Sequence, residues 1–97
     1  MLVVLQRFDL RLRDSHSLKQ KRHVVKSLTA ALRQRFNVSV SEVDHQDLWQ
    51  RAAIAIAAVG AAEYHLRKVT TEIERYVETW PAVEVLEVEV TVHASDD

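Results

Sequence analysis

At 97 residues, 47% of them hydrophobic and 28% charged, the chain has the makeup of one globular domain, which excludes a disordered segment and a second core. It contains no cysteine, so disulfides, thiol catalysis and cysteine-built zinc modules are excluded, and a reducing cytoplasm is the expected setting. The net charge of −1 hides a division: residues 1–36 hold nine Lys/Arg against two acids, a net +7, while residues 37–97 hold four against twelve, a net −8.

The opening "MLVVLQRF" lacks the basic start and long apolar run of a secretion signal. No segment approaches the roughly 20 apolar residues that span a bilayer, so no membrane partner is expected. Residues 2–13 alternate: Leu2, Val4, Phe8, Leu10 and Leu12 point one way, with Gln6 interrupting them, and Arg7, Asp9, Arg11 and Arg13 point the other. That is the period of a strand. After the turn Asp14-Ser15-His16, Ser17 and Gln20 stand in the S-x-x-Q relation of a helix start. Leu18, Val25, Leu28, Leu32 and Phe36 then share one helical stripe, and Asn37 is a stop. Residues 38–43, "VSVSEV", read as a short strand, followed by the polar turn "DHQD".

Residues 48–59, "LWQRAAIAIAAV", combine helix-favouring Ala with the alternation of Ile54 and Ile56, and Gly60 closes the run. We read a third strand there. Ala62, Leu66, Val69, Ile73, Tyr76 and Val77 form the face of a second helix, with Glu63–Arg67 and Lys68–Glu72 as i,i+4 pairs outside, and Trp80-Pro81 ends it. Leu86, Val88, Val90 and Val92 alternate with Glu87, Glu89, Thr91 and His93 as a fourth strand before the acidic tail "SDD".

The order β-α-β-β-α-β predicts an α+β ferredoxin-like sandwich, a single four-stranded sheet of antiparallel and parallel pairs with both helices on one face. Strands one and three should be central and strand four should lie beside strand one. On the open face Arg7 and Arg11 should then meet Glu87 and Glu89 across neighbouring strands.

The first helix poses the functional question. Lys19, Arg22, Lys26 and Arg33 fall within about 60° of arc at 100° per residue, so they form a ridge. Arg13 precedes the helix, Arg35 ends it, and Lys21 falls near the apolar side, from which it would have to extend outward along its stem. No acid occurs between residues 15 and 41, and cations at a helix start oppose the peptide dipoles at about 0.3–1 kcal/mol each. Two readings account for this. Either a phosphate backbone supplies the missing charge, or acids of residues 42–47 or of the tail lie against the helix. Base stacking on the sheet is not expected, because strand three carries no aromatic and strand one offers only Phe8 on its buried side.

Two further groups are candidates. If Ile54 and Ile56 face the helices, Ala53, Ala55, Ala57 and Val59 face outward, flanked by Trp49, Val3 and Leu5. Such an apolar face is a candidate homodimer or protein-partner surface, or else a strand of small residues shielded by the long side chains of Arg7 and Glu87. Asp44, His45 and Asp47 gather in one turn, where carboxylates flanking a histidine can orient it or bind a metal. They lack a third or fourth ligand at recognised spacing and read first as turn residues. The serines lack any nucleophile context, and we expect no enzyme activity and no cofactor.

The stretches "SLKQKRHVVKSL" and "RFNVSVSEVDHQDLWQRA" resemble the YlxP-like family of small bacterial proteins of unknown function. The resemblance runs from the first strand to the second helix and implies the ferredoxin-like fold. Genes of that family often neighbour those for transcription elongation, translation initiation and ribosome maturation, which implies RNA or the ribosome as a partner. No catalytic residue is implied. Gln20 stands where an acid is usual in the family, and the Gly60-Ala61 turn and the "VTVHASDD" end depart from its pattern.

Overall fold

Strand β1 (Leu2–Leu12) buries Val4, Gln6, Phe8, Leu10 and Leu12 on one side, as its alternation demands. The computed structural model describes residues 1–95, and the tail acids Asp96 and Asp97 lie outside them. Helix α1 (Leu18–Arg35) follows, then β2 (Ser39–Asp44), β3 (Arg51–Gly60), α2 (Glu63–Glu78) and β4 (Val83–Ala94). The strands form one sheet in the order β2-β3-β1-β4, with β1 and β3 central. This is the ferredoxin-like arrangement.

Every neighbouring pair is antiparallel, which corrects the expected parallel pairing. β1 and β2 do run the same way, since both oppose β3, but β3 lies between them. The two crossovers therefore join strands that never pair directly.

The core lies between sheet and helices. Phe8, Leu10, Leu12, Ile54 and Ile56 from the sheet meet Val25, Leu28 and Leu32 of α1 and Ile73 and Val77 of α2. A smaller cluster of Val4, Ala58 and Leu66 closes the far end. There Gly60 packs closely, since a Cβ would sit 3.1 Å from Leu66 Cδ2, so a larger residue requires that side chain to shift. Gln6, the polar interruption of the apolar side, is buried and donates from Nε2 to the Thr70 carbonyl at 3.0 Å, tying β1 to α2.

The fourth strand departs from simple alternation. Asp9 pairs with Glu87 but Leu10 pairs with Val85, so Leu86 is an extra residue in β4 and bulges outward, 39% exposed. This corrects the placing of Leu86 on the buried side, where Val83 and Val85 point instead. It also moves the charges: Arg7 stands opposite Glu89, whereas Arg11 stands opposite Glu84 and pairs with it at 3.5 Å. Arg7 itself pairs with Asp9 and with Asp44 on β2, both at 3.4 Å. The third strand starts at Arg51, three residues later than its sequence pattern predicts, leaving Leu48, Trp49 and Gln50 in the loop.

Candidate nucleic-acid interface

Ser17 sits in extended backbone and its hydroxyl accepts from the Gln20 N–H at 3.1 Å, while the Gln20 side chain accepts from the His16 N–H at 2.7 Å. This exchange fixes the start of α1, whose first turn contains no acid. Lys19, Arg22 and Lys26 project into solvent from one flank. Among the described residues, no carboxylate lies within 4.0 Å of any of the three.

The other predicted cations are used differently. Lys21 is 1% exposed, and its ammonium reaches Glu42 Oε2 at 2.8 Å and the His45 carbonyl. Its position on the buried stripe decides this: Lys21 turns inward, which corrects the expectation that it extends outward and removes it from the phosphate-binding candidates. Arg33 donates to the Val40 carbonyl at 2.7 Å, so the ridge flank of α1 faces β2. Arg35 lies over the rings of Tyr76, 5.2 Å from its centroid, and Phe36, at 5.9 Å. Arg13 reaches Glu84 at 3.3 Å in an exposed pair worth little. The two oppositely charged parts of the chain thus neutralise each other in part, through Arg7, Arg11, Arg13 and Lys21, and leave the outer ridge of α1 unmatched.

The turn after β2 collects Asp44 and His45, with Asp9 in place of Asp47. His45 adopts φ 61°, and its Nε2 lies 3.3 Å from Asp9 Oδ1. Its Nδ1 is 4.0 Å from Asp44 Oδ1. Asp44 is held below the usual carboxylate range, first by accepting the His45 N–H and then by Arg7. The Arg7 guanidinium is raised in turn, chiefly by its hydrogen bond to Asp9. Arg51 approaches Asp9 at 3.9 Å. Two guanidiniums and two carboxylates therefore surround the histidine in a self-neutralised cluster. Among the described residues, no three ligating side chains converge to hold a metal ion. Asp9 was legible only as an outward residue of β1, because its neighbour across the sheet depends on register.

On the open sheet face, Val59 pairs with Val3, Ala57 with Leu5, Ala55 with Arg7 and Ala53 with Asp9. Ala53 is fully buried, flanked by Asp9 and Asp44 on the adjoining strands, which corrects its place in an accessible surface. Trp49 is 53% exposed and lies in the β2–β3 loop, before β3 begins. Ala55 and Ala57 are half-buried, whereas Leu5 and Val59 are 45% and 67% exposed. On α2, Glu63 and Arg67 pair at 3.9 Å, but the expected Lys68–Glu72 pair does not form. That leaves Lys68 available, which its sequence context concealed.

Three comparisons bear on these features. A family model described as a protein of unknown function, DUF503, matches residues 3–90. The uncharacterized protein YlxP of Bacillus subtilis (strain 168) is 37% identical over 71 residues, covering 73% of this chain and 77% of that protein. Among solved structures, the de novo designed protein Foldit4 is similar at a TM-score of 0.55 and 15% identity, over 98% of this chain and 99% of that one. At that identity the likeness concerns the fold alone.

Proposed function

The chain belongs to the DUF503 family of proteins of unknown function, and on that footing we propose that it is a non-catalytic cytoplasmic domain that grips RNA phosphates with the ridge of Lys19, Arg22 and Lys26. The observation that carries the reading is the absence of any partner carboxylate for these three cations among the described residues. A helix that places unpaired positive charge in its first half is stabilised when an external anion arrives. The ribosome or a precursor RNA is the proposed source of that anion. Among the described residues, no helix is long and apolar enough to cross a membrane.

The test is salt dependence. Three phosphates neutralised on single-stranded RNA give a log–log slope of affinity against salt near about −2. Lys19→Gln, Arg22→Gln and Lys26→Gln together should flatten it, and an unchanged slope in that variant refutes the ridge. A second reading is a homodimer through the open sheet face, favoured by the exposure of Leu5 and Val59 on a side that no helix covers. Light scattering should then show a dimer at micromolar concentration that Ala55→Glu disrupts.

A further inference from the structure

The outer face of α2 repeats Tyr64, Arg67 with Lys68, Thr71 and Arg75 at steps of three and four residues, a stripe about 16 Å long at 1.5 Å per residue. Tyr64, Arg67, Lys68, Thr71, Glu72 and Arg75 line a depression of about 350 Å³. Glu72 and Arg75 also belong to a second, of about 310 Å³, completed by Arg35, Phe36 and Tyr76. Arg35 and Tyr76 in turn belong to a third, of about 300 Å³, with Ala31 and Gln34 of α1. Shared walls make these one groove that runs along α2 and turns onto the C-terminal end of α1.

Its chemistry is mixed in a specific way. Arg35, Arg67, Lys68 and Arg75 face Glu72 as the one acid of the lining, and Lys68 and Arg75 have no carboxylate within 4.0 Å among the described residues. Aromatic rings stand at both ends. Tyr64 is 72% exposed at one end. At the other, the Arg35 guanidinium already lies over Tyr76, and Phe36 and Tyr76 meet edge to face at 5.9 Å. Cations beside ring and guanidinium planes suit a ligand that alternates negative charge with flat apolar surfaces, as an unpaired polynucleotide does. An acidic peptide would satisfy the cations and leave the rings idle.

We infer that this helix-layer groove binds a stretch of unpaired RNA, with Arg67, Lys68 and Arg75 on phosphates and Tyr64 and the Arg35–Tyr76 stack against bases. The inference shares its partner class with the proposed function but stands on another surface. On α1 the ridge lies on the flank whose Arg33 bonds β2, whereas Ala31 and Arg35 lie on the flank turned to α2. The two surfaces can therefore fail separately.

Fluorescence anisotropy of a labelled short oligouridylate tests both. Arg67→Gln, Lys68→Gln and Arg75→Gln together should reduce the steepness of the salt slope by about 2. Tyr64→Ala should weaken binding about five-fold or more, at the low end of the loss of one base stack, without changing the slope. All four side chains are exposed, so thermal unfolding of the variants should match the parent. If the triple variant nevertheless fails to fold, Tyr64→Ala decides alone. Groove variants that bind like the parent overturn the groove, and the ridge reading survives if the Lys19/Arg22/Lys26 variant alone loses affinity. A base-free ribose-phosphate polymer or polyglutamate that binds as tightly as oligouridylate also overturns the groove. No binding by the parent chain overturns both.

Discussion

Lys21 and Glu42 offer the sharpest test of the packing, because their exposures differ. The ammonium of Lys21 is 1% exposed and the Glu42 side chain 23% exposed, at a separation of 2.8 Å. Removing the carboxylate by Glu42→Gln leaves the buried cation with the neutral His45 carbonyl and no counter-charge, which costs about 3 kcal/mol, the low end for breaking a buried pair. Removing the cation by Lys21→Met keeps the stem volume and leaves Glu42 free to rehydrate through its exposed part, so the cost falls to about 1–2 kcal/mol. The double replacement Lys21→Met with Glu42→Gln should cost about as much as Lys21→Met alone, giving a coupling energy of about 3 kcal/mol. Urea unfolding measures each value, with midpoints shifting at constant slope. Molar salt should change the differences little, since the pair is shielded from ions. If Glu42→Gln proves cheaper than Lys21→Met, or both cost under about 0.5 kcal/mol, as an exposed pair would, the assignment of a buried anchor is wrong.

Two other outcomes follow from local geometry. Ala82 holds φ 67° between α2 and β4 while its carbonyl accepts from the Arg13 N–H at 3.0 Å. Ala82→Gly should remove steric strain and raise stability by up to about 1 kcal/mol, read as a higher urea midpoint, and a loss of stability would contradict it. Asp44 has a folded-state pKa below its ordinary 3.8, so its stabilising effect is complete above that pH and is lost as pH falls through the lowered value. Asp44→Asn should therefore be less stable than the parent near neutrality, with the gap narrowing below pH 3.8, and a gap that stays constant into acid would show that the ionised form is not what matters.

Much of the fold was legible because period and capping agreed locally. The alternation of β1, the Ser17–Gln20 relation and the apolar face of α2 each needed only neighbours in sequence to be read. The bulge in β4 left one trace, the adjacent apolar residues Val85 and Leu86 in an otherwise alternating run, but which of them turns outward depends on pairing with β1. The same limit governed the site. Lys19, Arg22 and Lys26 could be placed on a ridge by angle alone, whereas the fate of Lys21 depended on Glu42, brought to it by the crossover to β2. The two stretches that carry the family resemblance meet at that contact. Arg75 and Tyr64 escaped notice because attention to the buried stripe of α2 passed over its outer face, and because Lys68 and Glu72 read as a neutralising pair that the structure does not form.

The extra residue in β4 also governs what the molecule avoids. β4 is a twelve-residue strand whose outer edge has no neighbouring strand among the described residues, the kind of template on which a second chain can add a strand and begin a fibre. Leu86 interrupts the register along that strand, and Glu84, Glu87 and Glu89 give any identical edge approaching it a like charge to oppose. A single inserted side chain thus interrupts the regular valine-rich ribbon that a second copy would need in order to extend it.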